Sequence, residues 1–462
     1  MGKSTRWFIL FCLWFSSIAA QDSPELYKAR REALLNNLGK KNVAIFKAAP
    51  VARRNGDVDY EYRQDSDFYY LTGFEEPEAI LVLSPRGIYV RDESKFVKEI
   101  LFLRKRDPRM EVWEGYRLGV ERAKSVLGVQ AALPIDRFDD YLPALLQNID
   151  TLYIKTQPVG LDEPLSKEMD FIRRARERLY DFAVAHPGKF LNRMREVKDR
   201  TELALLQKAI DITCEAHREA MKAARPGMYE YQLEAVIEYI FKKNGSERTG
   251  FPSIIGSGPN SCILHYNTNR RQMQDGDMVV IDIGAEYGMY TADITRTIPV
   301  NGKFNDAQRE IYTIVLEAQN AGIAAAKVGA SFWAPAQAAV RKVVEGLIRI
   351  GILKGDVETN IRNGTYRAFF MHGTSHHIGL DVHDVSSRGP LKANQVITVE
   401  PGIYISEATG RKHGVPPKYW NIGVRIEDDI LITEEGPKIL SRGAPRTIEE
   451  IEKLMSKSPS IY

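Results

Sequence analysis

Apolar runs of strand length at residues 43–46, 80–83 and 100–103 alternate with helix-period stretches, the longest predicted over 167–185. That alternation reads as an α/β amino-terminal domain. His186-Pro187-Gly188 breaks the pattern. Behind it, Asp199 followed three residues later by Glu202 carries the signature of a capping box, and Leu203, Leu206 and Ile210 recur at helical spacing. A second domain therefore starts near residue 190. Its first helix is predicted to stop before Pro226-Gly227, and a second amphipathic helix to run over 229–243, ahead of Gly245. The expected organisation is a leader over 1–20, one domain over 24–187 and another over 190–455.

The leader rests on three features: Lys3 and Arg6 at a charged start, a short apolar run over 7–15, and small residues over 16–20. The run is too short for the roughly 20 apolar residues of a membrane span. Cleavage after Ala19 or Ala20 and export, to the periplasm or beyond the cell, are expected. The formal charge of +3 includes Lys3 and Arg6, so the rest of the 462-residue chain is close to neutral. It offers no basic footprint for nucleic acid or an anionic membrane. Only Cys214 and Cys262 lie beyond the leader, too few for a disulfide framework, and the sequence leaves open whether they pair.

Chemistry concentrates in the second domain. Residues 278–284 (MVVIDIG) and 290–297 (YTADITRT) are β-rich and flank a short turn, which predicts a hairpin. A turn centred on Tyr287-Gly288 would set Asp282 opposite Asp293. Directly opposed like charges destabilise a hairpin, and the neighbouring Val280, Ile281, Ile283 and Ile294 predict burial. A divalent cation would resolve the repulsion. An exposed edge position, or pairing with Arg296, would resolve it equally well, so the hairpin alone leaves both readings open.

Four of the eight histidines fall between residues 372 and 383, in MHGTSHHIGLDVHD. His372 and His376 have the spacing of a helical zinc site, but no glutamate follows the first histidine and Gly373 disfavours a helix. That motif is rejected. Residues 395–399 (QVITV) predict a strand that delivers Glu400 to its end, before Pro401-Gly402. Residues 423–433 (GVRIEDDILIT) predict the last strong strand, with Arg425 and Glu427 on one face and Asp428 and Asp429 read as solvated charges. Carboxylates at 282, 293, 400 and 427 with one imidazole form an oxygen-rich set that suits a pair of manganese-like ions.

At these residues the chain resembles the Xaa-Pro aminopeptidases, or aminopeptidases P, within the pita-bread metallopeptidases. The resemblance runs from YEYRQDSDFYYLTGFEEPEAILVL (residues 60–83) through GSGPNSCILHY, IDIGAEYGMYTADITRTIPVNGKF and MHGTSHHIGLDVHDV to TVEPGIYI and GVRIEDDILIT. It implies a mixed α/β (α+β) chain, with a smaller creatinase-like domain ahead of a pita-bread catalytic domain. It further implies two divalent cations, Mn2+ first and Zn2+ or Co2+ as alternatives. Asp282 would bind one, Asp293 and Glu427 would bridge the pair, and His376 and Glu400 would complete the other site. Glu400 would also serve as general base. By the same resemblance, His265 would contact substrate near the scissile bond, His372 would line the proline pocket and His383 would stabilise the polarised carbonyl. Arg425, Tyr404 and Asp57 would form a supporting network. Trp113, in EVWEGYRLG, would border a neighbouring subunit's site, which implies a homo-oligomer, dimer or tetramer.

The implied substrates are proline-containing peptides cut before the proline. His377 stands where bacterial relatives often carry a bulky aromatic, which is expected to reshape the pocket. The prolidases share the ligands but cleave only Xaa-Pro dipeptides; the WEGYRLG and FMHGTSHHIGLDVHDV stretches and the leader favour the aminopeptidase. A creatinase-like protein without metal is the more distant alternative, and the intact ligand set argues against it.

Overall fold

A computed structural model describes residues 23–179 and 181–459. The expected leader lies outside the described residues. Among them, no helix is long and apolar enough to cross a membrane.

The first domain is built on a six-stranded sheet. Strand Asn42–Lys47 pairs antiparallel with Ile80–Val90, which pairs antiparallel with Lys95–Leu103. Parallel strands extend it on both sides: Ala132–Pro134 beyond Lys95–Leu103, and Thr151–Ile154 then Ala183–Ala185 beyond Asn42–Lys47. Side chains alternate across the pleat, so both faces are apolar. Ala44, Phe46, Leu81, Leu83 and Leu101 face Leu34, Leu206 and Ile210. Val43, Ile45, Val82, Ile100 and Phe102 face Phe138, Tyr141 and Ile172.

The helix predicted over 167–185 stops early. It covers Lys167–Arg178, and the chain returns as the strand Ala183–Ala185 beside Thr151–Tyr153. Phe182 is 4% exposed within the core of that face, and its carbonyl accepts from Arg176 Nη2 at 2.6 Å. Tertiary burial overrode the helical period there.

In the second domain Asp199 and Glu202 form the predicted reciprocal cap. Asp199 Oδ1 accepts from Glu202 N at 2.9 Å and Glu202 Oε2 from Asp199 N at 3.0 Å. The helix runs Arg200–Ala223, and the next runs Glu230–Lys243. Strand Met278–Ile283 is buried along its whole length between Ile254–Ser257 and Ile294–Pro299. A second antiparallel set comprises Val396–Val399, Asp428–Thr433 and Gly436–Ile439, and a third pairs Gly402–Ile405 with Ile422–Arg425. The last predicted strand is therefore interrupted at 426–427, and a further strand follows it.

The predicted hairpin exists, but its register is shifted. Its turn is Gly288-Met289, both at positive φ (56° and 68°), with Tyr287 opposite Tyr290. That is the primed two-residue turn favoured in hairpins. Asp282 consequently faces Thr295, not Asp293. The ladder also breaks at Gly284, where a Cβ would lie 1.8 Å from Ala292 O. The close approach requires glycine, and it frees Asp293 from the ladder. Cys214 and Cys262 are free thiols.

Candidate metal centre

Four strand ends and one loop converge on a cavity of about 310 Å³ that is lined by all five expected ligands, by His265, His372 and His383, and by Arg425. Asp282 is the penultimate residue of Met278–Ile283, and Asp293 immediately precedes Ile294–Pro299. Glu400 follows Val396–Val399, where the ladder ends before Pro401. Glu427 sits in the break between Ile422–Arg425 and Asp428–Thr433.

His376 lies in irregular chain, as the rejected helical motif requires. Its amide donates to Thr398 Oγ1 at 3.2 Å and its carbonyl accepts from Thr398 N at 2.9 Å. His376 Nδ1 meets His377 O at 3.0 Å, which assigns the hydrogen to Nδ1 and leaves the Nε2 lone pair facing the cavity. Nε2 is 3.4 Å from Asp293 Oδ2 and 3.6 Å from Glu400 Oε1. One ligand atom each from Asp293, His376 and Glu427 lie within 4.8 Å of one another.

The electrostatics suit a cation. Against four carboxylates the lining sets one guanidinium, Arg425. Burial and the neighbouring Asp282, Asp429 and Glu400 push the Asp293 carboxyl far above the carboxylate range. Burial, with Asp293, Glu400 and Asp282, does the same to Glu427. Burial, opposed by His376 and Arg425, raises Glu400. Asp282 Oδ1 is buried with no hydrogen-bond partner, although Arg425 Nη2 holds Oδ2 at 2.6 Å. Buried carboxylates in this state need positive charge, so the residues present fit a divalent ion or a pair of them.

A directed chain supports the cavity wall. Arg425 Nη1 donates to Tyr404 Oη at 2.9 Å, Tyr404 meets His372 Nε2 at 2.7 Å, and His372 Nδ1 meets Gly373 O at 2.7 Å. Burial and the Arg425 charge lower the His372 pKa to about 4, so its ring is neutral near pH 7. Thr295, unremarked in the sequence, donates to Glu427 Oε2 at 2.7 Å and accepts from Arg425 Nε at 3.2 Å. Its place two residues after Asp293 in DITRT, on the same face of a strand, was the available signal.

Several expectations are corrected. Asp428 and Asp429 are fully buried: Asp428 pairs with Arg296 at 2.6 Å, and Asp429 Oδ2 accepts from Asp293 N at 3.2 Å. Asp57 is exposed, and among the described residues it makes no hydrogen bond to Arg425 or Tyr404; His372 occupies that place in the network. His377 is buried outside the lining of this cavity and stacks on Phe332, with centroids 5.4 Å apart, so any effect it has on the pocket is through Phe332. Trp113 is not among these corrections: expected at a neighbouring subunit's site, it is 84% exposed on helix Pro108–Glu114 and outside the lining of this chain's own cavity.

Comparison with known proteins agrees with this geometry. Residues 204–434 match Metallopeptidase family M24, and residues 27–153 match the aminopeptidase P N-terminal domain. The chain is 42% identical to the Xaa-Pro aminopeptidase of Escherichia coli strain K12, over 94% of this chain and 98% of that protein. The chain belongs to metallopeptidase family M24. This M24 chain is also 32% identical to human Xaa-Pro aminopeptidase 3, over 94% of its own length and 86% of the human protein's. Among solved structures it resembles proline aminopeptidase P II from Yersinia pestis, with a TM-score of 0.86 at 41% identity over 94% of this chain and all of that one. It likewise resembles E. coli aminopeptidase P with the inhibitor Pro-Leu, at a TM-score of 0.85, 42% identity and coverage of 94% and 98%. The pita-bread domain and its amino-terminal partner are those of the aminopeptidase P fold.

Proposed function

We propose that this M24 chain is a metal-dependent Xaa-Pro aminopeptidase that hydrolyses the bond between a peptide's first residue and a following proline. Asp282, Asp293, His376, Glu400 and Glu427 hold two divalent cations in this reading. The observation that carries it is Asp282, buried and anchored through one oxygen while the other has no hydrogen-bond partner, in a cavity shared with three more carboxylates and the Nε2 face of His376. Manganese is the expected ion for so oxygen-rich a set, with zinc and cobalt as alternatives. When bound, such ions supply Lewis acidity and an acidified water for hydrolysis.

The protein's own groups carry the remaining steps. Glu400, steadied by Thr398 Oγ1 at 3.4 Å from Oε1, takes a proton from the attacking water. It passes that proton to the departing proline nitrogen, which has no hydrogen of its own in the peptide. Partial burial in the cavity wall and the nearby His376 and His265 lower the His383 pKa, so His383 is a neutral donor for the substrate carbonyl oxygen, where charge develops. His265 faces the same cavity near the scissile bond. His372, locked to Tyr404, forms the wall against which the proline ring packs. A second cavity of about 400 Å³ shares His372, Gly373 and Ser375 with the first and is walled by Phe332, Trp333 and Phe370; its position beside the first supports a peptide longer than two residues.

Val112, Trp113 and Tyr116 are 80%, 84% and 91% exposed, which supports a homo-oligomer, dimer or tetramer, with Trp113 at its interface. The sequence pattern over residues 3–20 supports export. A comparison of Gly-Pro with Gly-Pro-Ala under matched metal loading tests the reading. Faster release of glycine from the tripeptide is expected; cleavage of the dipeptide alone would make the protein a prolidase.

A further inference from the structure

The His383 ring is exposed and touches the His376 ring, with centroids 4.2 Å apart. The residues on either side of it are anchored, in part from the other domain. On one side, Arg63 donates through Nη2 to Leu380 O, and Ser66 Oγ donates to Asp381 Oδ1 at 2.6 Å. On the other, Arg195 Nη2 reaches Asp384 Oδ1 at 2.5 Å and Lys198 Nζ reaches Asp384 Oδ2 at 2.7 Å. Arg195 also spans back, to Asp381 Oδ2 at 2.7 Å and, through Nη1, to Asp67 Oδ1 at 2.7 Å. Arg63, Ser66 and Asp67 all come from the sheet domain, and Ser66 and Asp67 open the helix Ser66–Thr72.

We propose that Arg63, Ser66 and Asp67, acting with Arg195, are positioning residues for His383: the sheet domain holds the 379–384 loop ahead of that histidine directly and, through Asp67 on Arg195, braces the Asp384 side behind it, and so sets the approach of His383 to the substrate carbonyl. This rests on the role given to His383 above.

Two arguments favour a geometric role over simple cohesion. Arg195, Lys198 and Asp67 are buried, at 2%, 2% and 5% exposure, and buried ion clusters often contribute no more stability than well-packed apolar side chains of the same volume. What they do provide is fixed geometry. Every carboxylate of the cluster also has a cationic partner, since Asp67, Asp381 and Asp384 meet Arg195 or Lys198, while Glu286 meets Arg63 at 2.7 Å. A displacement of about 1 Å at a group facing the reacting atoms can cost on the order of 100-fold in rate.

The test is a double-mutant cycle on the metal-loaded full chain with an Ala-Pro-Ala substrate. Ser66→Ala and Arg63→Gln are each made alone and in a His383→Ala background, with metal content and melting temperature recorded. Each single variant is expected to lower kcat about 10- to 100-fold, with KM within about twofold, and to change kcat less than about twofold once His383 is alanine. Ser66→Ala removes one hydroxyl and serves if Arg63→Gln fails to fold. If the losses multiply in the His383→Ala background, or if folded single variants keep full kcat, the clamp is overturned while the role of His383 stands. If His383→Ala itself keeps full kcat, both fall.

Discussion

Arg425 donates to Asp282 Oδ2 at 2.6 Å, and the other oxygen of Asp282 is buried with no hydrogen-bond partner. The guanidinium aims the carboxylate into the cavity without saturating it. The same guanidinium holds Tyr404, and through it His372, so one side chain orients a cavity-facing carboxylate and a cavity wall together.

Arg425→Met should therefore weaken metal binding and activity together, by about 10- to 100-fold, the usual cost of losing a group that orients a ligand. Arg425→Lys keeps the charge but loses the planar fork and should fall between. Isothermal titration of the chelated variants with manganese, alongside kcat/KM, checks both.

Removing a carboxylate should trade function for stability. Asp293 is buried beside Asp282, Asp429 and Glu400, so Asp293→Asn should stabilise the metal-free protein near pH 7, where the buried carboxyl's raised pKa costs folding free energy, while abolishing activity. Wild-type protein should gain about 2.7 kcal/mol from metal at a hundred times its Kd, and the variant far less. Denaturant unfolding with chelator and with manganese separates the two effects.

Glu400→Gln keeps the side-chain volume and removes the proton acceptor. The expected loss in kcat is about 100- to 10,000-fold, with KM little changed at matched metal occupancy. Steady-state kinetics on variants whose metal content has been measured decides it.

His217 gives an acid limit unconnected with catalysis. It is fully buried, its Nε2 meets Ile294 O at 2.9 Å and its Nδ1 has no hydrogen-bond partner. Burial, then the Arg296 charge, lowers its pKa to about 3. Its unfolded value lies near 6.5, so between those two pH values the unfolded chain binds the extra proton. The stability contribution is complete above about pH 6.5 and is lost as pH falls, at up to ~1.4 kcal/mol per pH unit. His217→Gln removes this dependence, so the wild-type advantage measured in urea should shrink steadily from pH 6.5 to pH 4.

The candidate site was legible because its residues sit at marked places in the sequence: Glu400 at a strand end before Pro401-Gly402, Asp282 inside an apolar run, His376 among clustered histidines. The capping box at Asp199 and Glu202 was equally plain, since capping is local. Register was not. Gly288-Met289 makes the turn only because Met289 accepts a left-handed backbone, which residue type alone argues against. Asp428 and Asp429 looked like a solvated charge run because Arg296, the partner that buries Asp428, lies 132 residues away. The clamp on His383 was illegible for the same reason, since Ser66 and Asp381 stand 315 residues apart.

Metal and proline dependence can be read in one titration. Protein stripped by exhaustive chelation is titrated with manganese while release of alanine from Ala-Pro-Ala and from Ala-Ala-Ala is followed. The stripped protein should be inactive, activity towards Ala-Pro-Ala should return and level off at two ions per chain, and Ala-Ala-Ala should remain nearly untouched. Activity that survives chelation and ignores manganese, or equal turnover of the two peptides, would contradict the assignment of this chain as a metal-dependent Xaa-Pro aminopeptidase.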